Sequence, residues 1–413
     1  MRILQVNKFL IRRGGVETYL LELGHLLEQA GDEVQYFGMD DDNKVVGNRW
    51  DIYAPRIDLG GRQRISRVTD IARLINSRVN ANRFTQLLEL YKPDVIHFNN
   101  IHYHLTPSVI LAAYEYKRYA EKQVGLVMTM HDYHSIVPCD GCMNNSSYEI
   151  CDECLDGHYW RCARKCCTRG GRAKSIVAAA EAEYWNKRQV YRCLDRVICP
   201  SSFMKEKFDR VPDFTGRTVH IPNFTVLERK SYMKERYILY FGAYNRDKGV
   251  ATLLDVARHH PDIPFKFAGR GPLTPLMIGI SNVDDMGYQT GNELHGLIGR
   301  AALVVVPSEW PENSPFVVLE ALCCGTPVLG ANIGGIPELV NDGVTGELFE
   351  FRDPVDLDEK LTALWEDSKR LKAYSRNCIG FSPMTSARYV QELHSVYSFA
   401  MDRSSGGNDD ENI

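Results

Sequence analysis

Several things are scarce in this 413-residue chain, and each scarcity removes a class of protein. No stretch reaches about 18 uninterrupted apolar residues, so no membrane-spanning helix is expected. Met1-Arg2 leads straight into Ile3-Leu4-Gln5-Val6, too short for the apolar core of a secretory signal, so a cytoplasmic protein is expected. There is no excess of one charge. Lys and Arg number 49 against 53 Asp and Glu, a formal net charge of −4, which removes any overall drive toward nucleic acid. Cysteine is sparse outside one segment: seven of the twelve fall between Cys139 and Cys167, unlike the bridges of a short secreted scaffold. The remainder, 44% hydrophobic and 25% charged, is ordinary for a globular protein, and the length calls for two domains.

Short apolar runs alternate with amphipathic segments. Strands are expected at Arg2–Val6, Glu33–Met39, Asp94–Phe98 and Gly125–His131, with a helix from about Val16 to Ala30 closed by Gly31. After the cysteine-rich stretch come Arg196–Cys199, where Ser201 or Ser202 caps a short helix, and His220–Pro222. A second series then starts, with strands at Tyr237–Phe241, Phe265–Ala268, Leu303–Val306, Pro327–Gly330 and Glu347–Phe349, and a helix at about Gly249–His259. Alternation of this kind gives parallel sheets covered on both faces, hence two doubly wound α/β domains with a linker near Asn223–Glu235. Ligands of such sheets sit at the strands' carboxyl ends, so a ligand in an inter-domain cleft is expected.

The densest chemistry is Glu312-Asn313-Ser314-Pro315-Phe316, with Glu320 following after seven intervening residues from Glu312. Glu312 falls in a turn at a strand end. Pro315 starts a helix whose free N–H groups and dipole suit a diphosphate, and Glu320 is expected a little over two turns along it. A carboxylate there accepts two hydroxyl hydrogen bonds, as a ribose diol requires; the alternative is a plain surface glutamate. Gly14-Gly15 before the first helix exposes amide donors to phosphate, or is merely a turn.

In order, Glu312-x7-Glu320, Glu320-Ala321-x3-Gly325-x-Pro327-Val328 and Gly334-Gly335-x2-Glu338 resemble the signature of the large family of retaining GT-B-fold glycosyltransferases (glycosyl transferases group 1, family 4 type). Gly14-Gly15-Val16-Glu17 and Thr129-Met130-His131-Asp132 match its N-terminal elements, and the likeness runs from Met1 to about Arg403. The resemblance implies a GT-B architecture of two Rossmann-like domains: residues 1–222 on the acceptor side with a cysteine-rich insertion at 139–167, 223–383 for the nucleotide sugar, a crossover helix at 384–403 returning to the first domain, and a disordered tail at 404–413. It implies that Glu320 binds ribose and that Asn313, Ser314, Pro315 and Phe316 line the donor. Glu312 and Lys248 would face phosphates and sugar, with Gly14, Gly15 and His131 completing the site.

Two departures stand out. The family's donor loop reads G-R-x4-K-G; here Gly242-Ala243 leads to Lys248-Gly249, so the arginine is missing, and Arg246 is the nearest substitute in the loop. Arg270 replaces an acidic residue between Gly269 and Gly271, where it brings charge toward the donor or simply lies in solvent. No metal is needed for catalysis in this fold, since basic groups and helix ends take over that role.

Cys139-x2-Cys142 and Cys151-x2-Cys154 have the spacing of a structural zinc site, or are buried thiols; a subset of the family resembles this segment. A basic amphipathic helix is expected between Arg56 and Arg83, with Arg62, Arg64, Arg67, Arg73 and Arg78 outside and Ile65, Val68, Ala72, Ile75 and Val79 inside. It either packs on the first sheet or rests on an anionic membrane near a lipid-linked acceptor at the inner face. The expected function is transfer of a sugar, with retention, from a nucleotide sugar to a saccharide, glycolipid or other hydroxyl acceptor in cell-surface polysaccharide or glycoconjugate synthesis. The rivals are an impaired transferase-like binding protein, motivated by Ala243, and an epimerase or phosphorylase of the same fold.

Overall fold

The computed structural model describes residues 1–57, 68–139, 141–227, 230 and 232–402. The chain divides into two compact units, Met1–Pro200 with Met204–Ile221 and Ser386–Ile413, and Ser201–Phe203 with Pro222–Thr385.

The first unit is built on β1 (Arg2–Val6), β2 (Glu33–Phe37), β3 (Val95–Phe98), β4 (Gly125–Thr129), a short antiparallel pair β5 (Met143–Asn144) and β6 (Glu149–Ile150), then β7 (Arg196–Cys199) and β8 (Thr218–His220). Six of them form a parallel sheet in the order β2-β1-β3-β4-β7-β8. Ile3, Leu4, Val6, Val95, Ile96 and Phe98 are fully buried, as strands covered on both faces must be. The helix Gly15–Gln29 buries Tyr19, Leu20, Leu23 and Leu27 at helical spacing, and Gly31 follows it at φ +93, where a side chain would be strained. The last helix, Ser386–Asp402, belongs to this unit and packs Tyr389, Leu393 and Tyr397 inward.

The second unit opens with β9 (Phe224–Thr225) and contains β10 (Ile238–Ala243), β11 (Phe265–Arg270), β12 (Val283–Gly287), β13 (Leu303–Val306), β14 (Val328–Ala331) and β15 (Gly346–Phe349), and closes with β16 (Met384–Thr385), which pairs with β9. Its parallel sheet runs β12-β11-β10-β13-β14-β15. Chain order reverses between β10 and β13, and in the first sheet between β1 and β3, which are the positions where such sheets bind ligands. Leu253, Leu254, Phe267, Leu322, Leu361 and Leu364 are among the residues of its own core.

Four expectations need correcting. The basic helix is not continuous: the described part is two helices, Val68–Ile75 and Arg78–Tyr91, because Ser77 caps the second through Asn80 N–H at 3.3 Å. Val79 is 48% exposed and so lies off the core face, while Arg62, Arg64, Ile65 and Arg67 lie outside the described residues, as does the tail at 404–413. The strand expected at His220–Pro222 comes two residues earlier, since Pro222 has no N–H to donate. Strand β12 was not expected, because Val283-Asp284-Asp285-Met286-Gly287 is a partly exposed edge without an apolar run. Glu320 is the fifth residue of the helix Phe316–Cys323, a little over one turn in rather than two.

Candidate active site

In the second unit the loops after β10 and β13 meet at the sheet's reversal point. The first carries a single 3-10 turn, Arg246–Lys248, and Gly249 at φ +67. A Cβ on Gly249 would lie 1.7 Å from Pro307 O, so only glycine lets this loop settle onto the end of β13. Glu309 N–H donates to Asp247 O at 2.9 Å, and Thr252 Oγ1 to Glu309 Oε1 at 2.6 Å. The result is a clasp in which Lys248 Nζ donates to Glu312 Oε1 at 2.5 Å and Ser308 Oγ donates to the same oxygen at 2.7 Å. Burial alone would raise the Glu312 carboxyl; the Lys248 ammonium and these hydrogen bonds outweigh it and hold the group below the usual carboxylate range.

The Glu312 turn rests on a glycine cradle. Gly335 N–H donates to Glu312 O at 2.7 Å, and a Cβ on Gly335 or Gly334 would sit 1.6 Å from Asn313 O or 2.2 Å from Glu312 O. The Gly334-Gly335 pair is thus a packing requirement of the loop. Asn223 Nδ2 donates to Ser314 O at 2.9 Å from the other side. Pro315 then opens the helix Phe316–Cys323 with no side-chain cap, and the first N–H taken up within the helix is that of Val318, by Pro315 O.

Glu320 presents the opposite electrostatics. It is half-buried, and its carboxylate has no hydrogen-bond or ion-pair partner among the described residues. Burial pushes it up to about 7. A carboxyl of this kind is short of donors, and hydroxyl groups would supply them.

Arg246 is exposed on the turn that carries Lys248. Ala243, the position without the expected arginine, is in register with Arg270 across β10 and β11. Residues in register on parallel neighbours project from the same face about 4.8 Å apart, so Arg270 emerges beside the vacant position, its guanidinium 4.4 Å from the Tyr288 ring centroid. Gly269 and Gly271 permit this: a Cβ on either would lie 1.9 Å from Gly242 O or 2.5 Å from Tyr244 O. Glu338, another residue not singled out as a ligand from sequence, accepts from the N–H groups of Ser202 and Phe203 at 2.8 and 2.9 Å.

In the first unit Gly14 and Gly15 are exposed at the start of the helix Gly15–Gln29, again without a side-chain cap. Glu17 is buried beneath them; burial raises its carboxyl, opposed by Lys8 and Arg13. His131 follows β4 and packs edge-on against Tyr19 of that helix at 5.0 Å. Asn99 Nδ2 donates to Gln5 Oε1 at 3.0 Å, which turns Asn99 Oδ1 toward His131 Nε2 at 3.0 Å and assigns the proton to Nε2. Burial lowers His131 to about 4, against the pull of Asp132, so the ring is neutral at neutral pH. Behind it a buried relay joins Tyr397 to His97 (2.7 Å), His97 to Thr129 (2.8 Å), Thr129 to Tyr19 (3.3 Å) and Tyr19 to Tyr389 (2.6 Å). This relay fixes the last helix against the strand that carries His131; a Tyr in a sequence pattern signals only an apolar position, and its hydroxyl partner stays hidden.

In the cysteine-rich segment Cys139, Cys142 and Cys154 are buried and Cys151 is partly buried. Among the described residues, His102, His134 and Glu181 present donor atoms that lie mutually within 4.8 Å. Cys151 N–H donates to Cys142 O at 2.8 Å beside the β5–β6 pair, and the Cys139 thiol lies against that of Cys162. Hydrogen bonds to Cys139 and Cys167, together with burial, push the Cys162 thiol up.

Comparison with known proteins gives the family and the fold. Residues 13–229 match the family described as Glycosyltransferase Family 4, and residues 227–379 match Glycosyl transferases group 1. An uncharacterized glycosyltransferase of Methanocaldococcus jannaschii is 29% identical over 212 residues, 49% of this chain and 59% of that protein. The alpha-D-kanosaminyltransferase of Streptomyces kanamyceticus is 27% identical over 233 residues, 50% of this chain and 59% of that one. The chain thus spans about six-tenths of the length of these curated relatives. Among solved structures, sucrose-phosphate synthase from Thermosynechococcus elongatus superposes with a TM-score of 0.64 at 18% identity, covering 98% of this chain and 97% of that one. Anabaena HepE in complex with UDP and glucose gives 0.63 at 17%, covering 96% and 99%. These likenesses establish the GT-B fold, and with more than half of the chain matched by the family, this protein belongs to glycosyltransferase family 4.

Proposed function

We propose that the protein transfers a glycosyl group from a nucleoside diphosphate sugar to a hydroxyl acceptor, with retention, in the assembly of a saccharide or glycolipid. The observation that carries this reading is the pairing of two unlike carboxylates on one strand-turn-helix. Glu312 is held ionised by Lys248, while Glu320 is half-buried, short of donors and raised to about 7. Glu320 accepts the two ribose hydroxyls, and the uncapped N–H groups after Pro315 receive the diphosphate. Lys248 and Glu312 orient phosphate and sugar, Asn313, Ser314 and Phe316 line the donor, and Gly14, Gly15 and neutral His131 serve the transferred sugar. Anabaena HepE has been solved with UDP-glucose, which makes uridine the first base to try.

Negative charge accumulates on the leaving diphosphate in the transition state, so a cation must replace the arginine absent at position 243. Arg270, in register beside Ala243, takes that role in place of Arg246 at the start of the 3-10 turn. The test is release of nucleoside diphosphate from UDP-, GDP- and ADP-hexoses with saccharide and lipid-linked acceptors. Acceptor-dependent release from one donor is expected, slowed about 100-fold in Arg270→Ala, little changed in Arg246→Ala, and partly restored in Ala243→Arg/Arg270→Ala. No turnover of any donor would sink the transferase reading. Cleavage by inorganic phosphate alone would replace it with a phosphorylase.

A further inference from the structure

Three buried side chains outside the donor-binding residues converge in the first unit. His102 lies in the loop after β3, His134 in the loop after β4, and Glu181 on the helix Gly171–Lys187. They are 4%, 5% and 2% exposed, and one donor atom from each falls within 4.8 Å of the others. His134 Nε2 and Glu181 Oε2 are 2.7 Å apart, and His102 Nε2 is 3.1 Å from Ser135 Oγ. That leaves His102 Nδ1 and Glu181 Oε1 facing each other at 3.7 Å, both buried and both without a hydrogen-bond partner.

This separation is informative. It is too long for a hydrogen bond, which needs at most about 3.2 Å. It is too short for one bridging water, since two groups each about 2.8 Å from a water at a tetrahedral angle stand roughly 4.5 Å apart. Two ligands of one tetrahedral ion, each at about 2.1 Å, are roughly 3.4 Å apart. Leaving two such atoms unsatisfied in the interior is costly, and a cation between them removes both penalties. Two imidazoles with one carboxylate favour a zinc-class ion over magnesium or calcium, which prefer all-oxygen sets. Charge is compatible as well. Glu181 supplies one negative charge, and Asp132, whose Oδ1 accepts from His134 N–H at 2.9 Å, supplies a second nearby.

We propose that His102, His134 and Glu181 form a structural binding site for one divalent cation of the zinc class. The ion ties together the ends of two adjacent strands and the helix Gly171–Lys187, and so braces the Thr129–His134 segment that carries His131. The site is distinct from the thiols of the cysteine-rich segment and independent of the proposed transfer reaction.

The test uses the full chain purified without a metal-affinity tag, stripped by chelator and reloaded with Zn2+ or Co2+. The expected result is one equivalent of metal retained per chain after gel filtration, and a cobalt spectrum without thiolate-to-metal charge transfer. Glu181→Gln and His102→Gln, checked for native circular dichroism, are expected to lose that equivalent. No retained metal, retention undiminished in both variants, or a spectrum showing thiolate ligation alone would overturn the proposal. If the variants fail to fold, stoichiometry and the cobalt spectrum of the wild-type chain decide the matter.

Discussion

Glu312 and Glu320 stand eight positions apart and meet opposite fields. Glu312 has an ammonium at 2.5 Å and a serine hydroxyl at 2.7 Å, whereas Glu320 has burial and no counter-charge. A carboxyl whose folded pKa lies above its unfolded value of 4.5 holds its proton more tightly in the folded state. Stability from this group is therefore full below pH 4.5 and lost as pH rises toward 7. Glu320→Gln is accordingly expected to match wild type near pH 4 in thermal unfolding and to exceed it by about 1–3 kcal/mol at pH 8. A residue that costs the empty protein stability is what a binding group looks like. For the other pair, Lys248→Ala leaves a mostly buried carboxylate unpaired. It should destabilise more than Lys248→Ala combined with Glu312→Gln, with a coupling of about 1–3 kcal/mol in a double-mutant cycle read by denaturant unfolding. Additive effects would mean that the clasp contributes nothing beyond its parts.

At the scale of elements, glycines decide where the loops go. Gly335 packs against Asn313 O, and a Cβ 1.6 Å from a carbonyl oxygen cannot be relieved by turning a side chain. Gly335→Ala is expected to lower stability by about 3 kcal/mol or more and to weaken donor binding with it. Gly343 has φ +71 with open space around it, so Gly343→Ala serves as the control at about 1 kcal/mol. Equal melting temperatures for the two variants would contradict the cradle. The strands were legible in the sequence because buried parallel strands are runs such as Leu303–Val306, and the candidate residues could be placed because Glu312 and Lys248 lie in turns after strands and Glu320 on the helix that follows Pro315. What stayed hidden depended on contacts between distant segments. Strand β12 carries no apolar run, Ser77 breaks a helix whose hydrophobic period continues through it, and the register of Ala243 with Arg270 exists only once β10 and β11 pair.

Over the whole molecule, each unit has its own six-stranded parallel sheet and its own reversal of strand order. The proposed donor residues cluster at the reversal point of the second, and Gly14, Gly15 and His131 follow β1 and β4 of the first. Among the described residues no helix is long and apolar enough to cross a membrane. The central claim is that the second unit's Glu320 and the helix after Pro315 hold a nucleoside diphosphate. Its most direct test is calorimetric titration of the full chain with UDP, GDP and ADP, alongside Glu320→Ala. Saturable binding of one nucleotide is expected, weakened about 10- to 100-fold in the variant by loss of the diol hydrogen bonds. Failure of all three to bind the folded protein, or binding unchanged by Glu320→Ala, would contradict it.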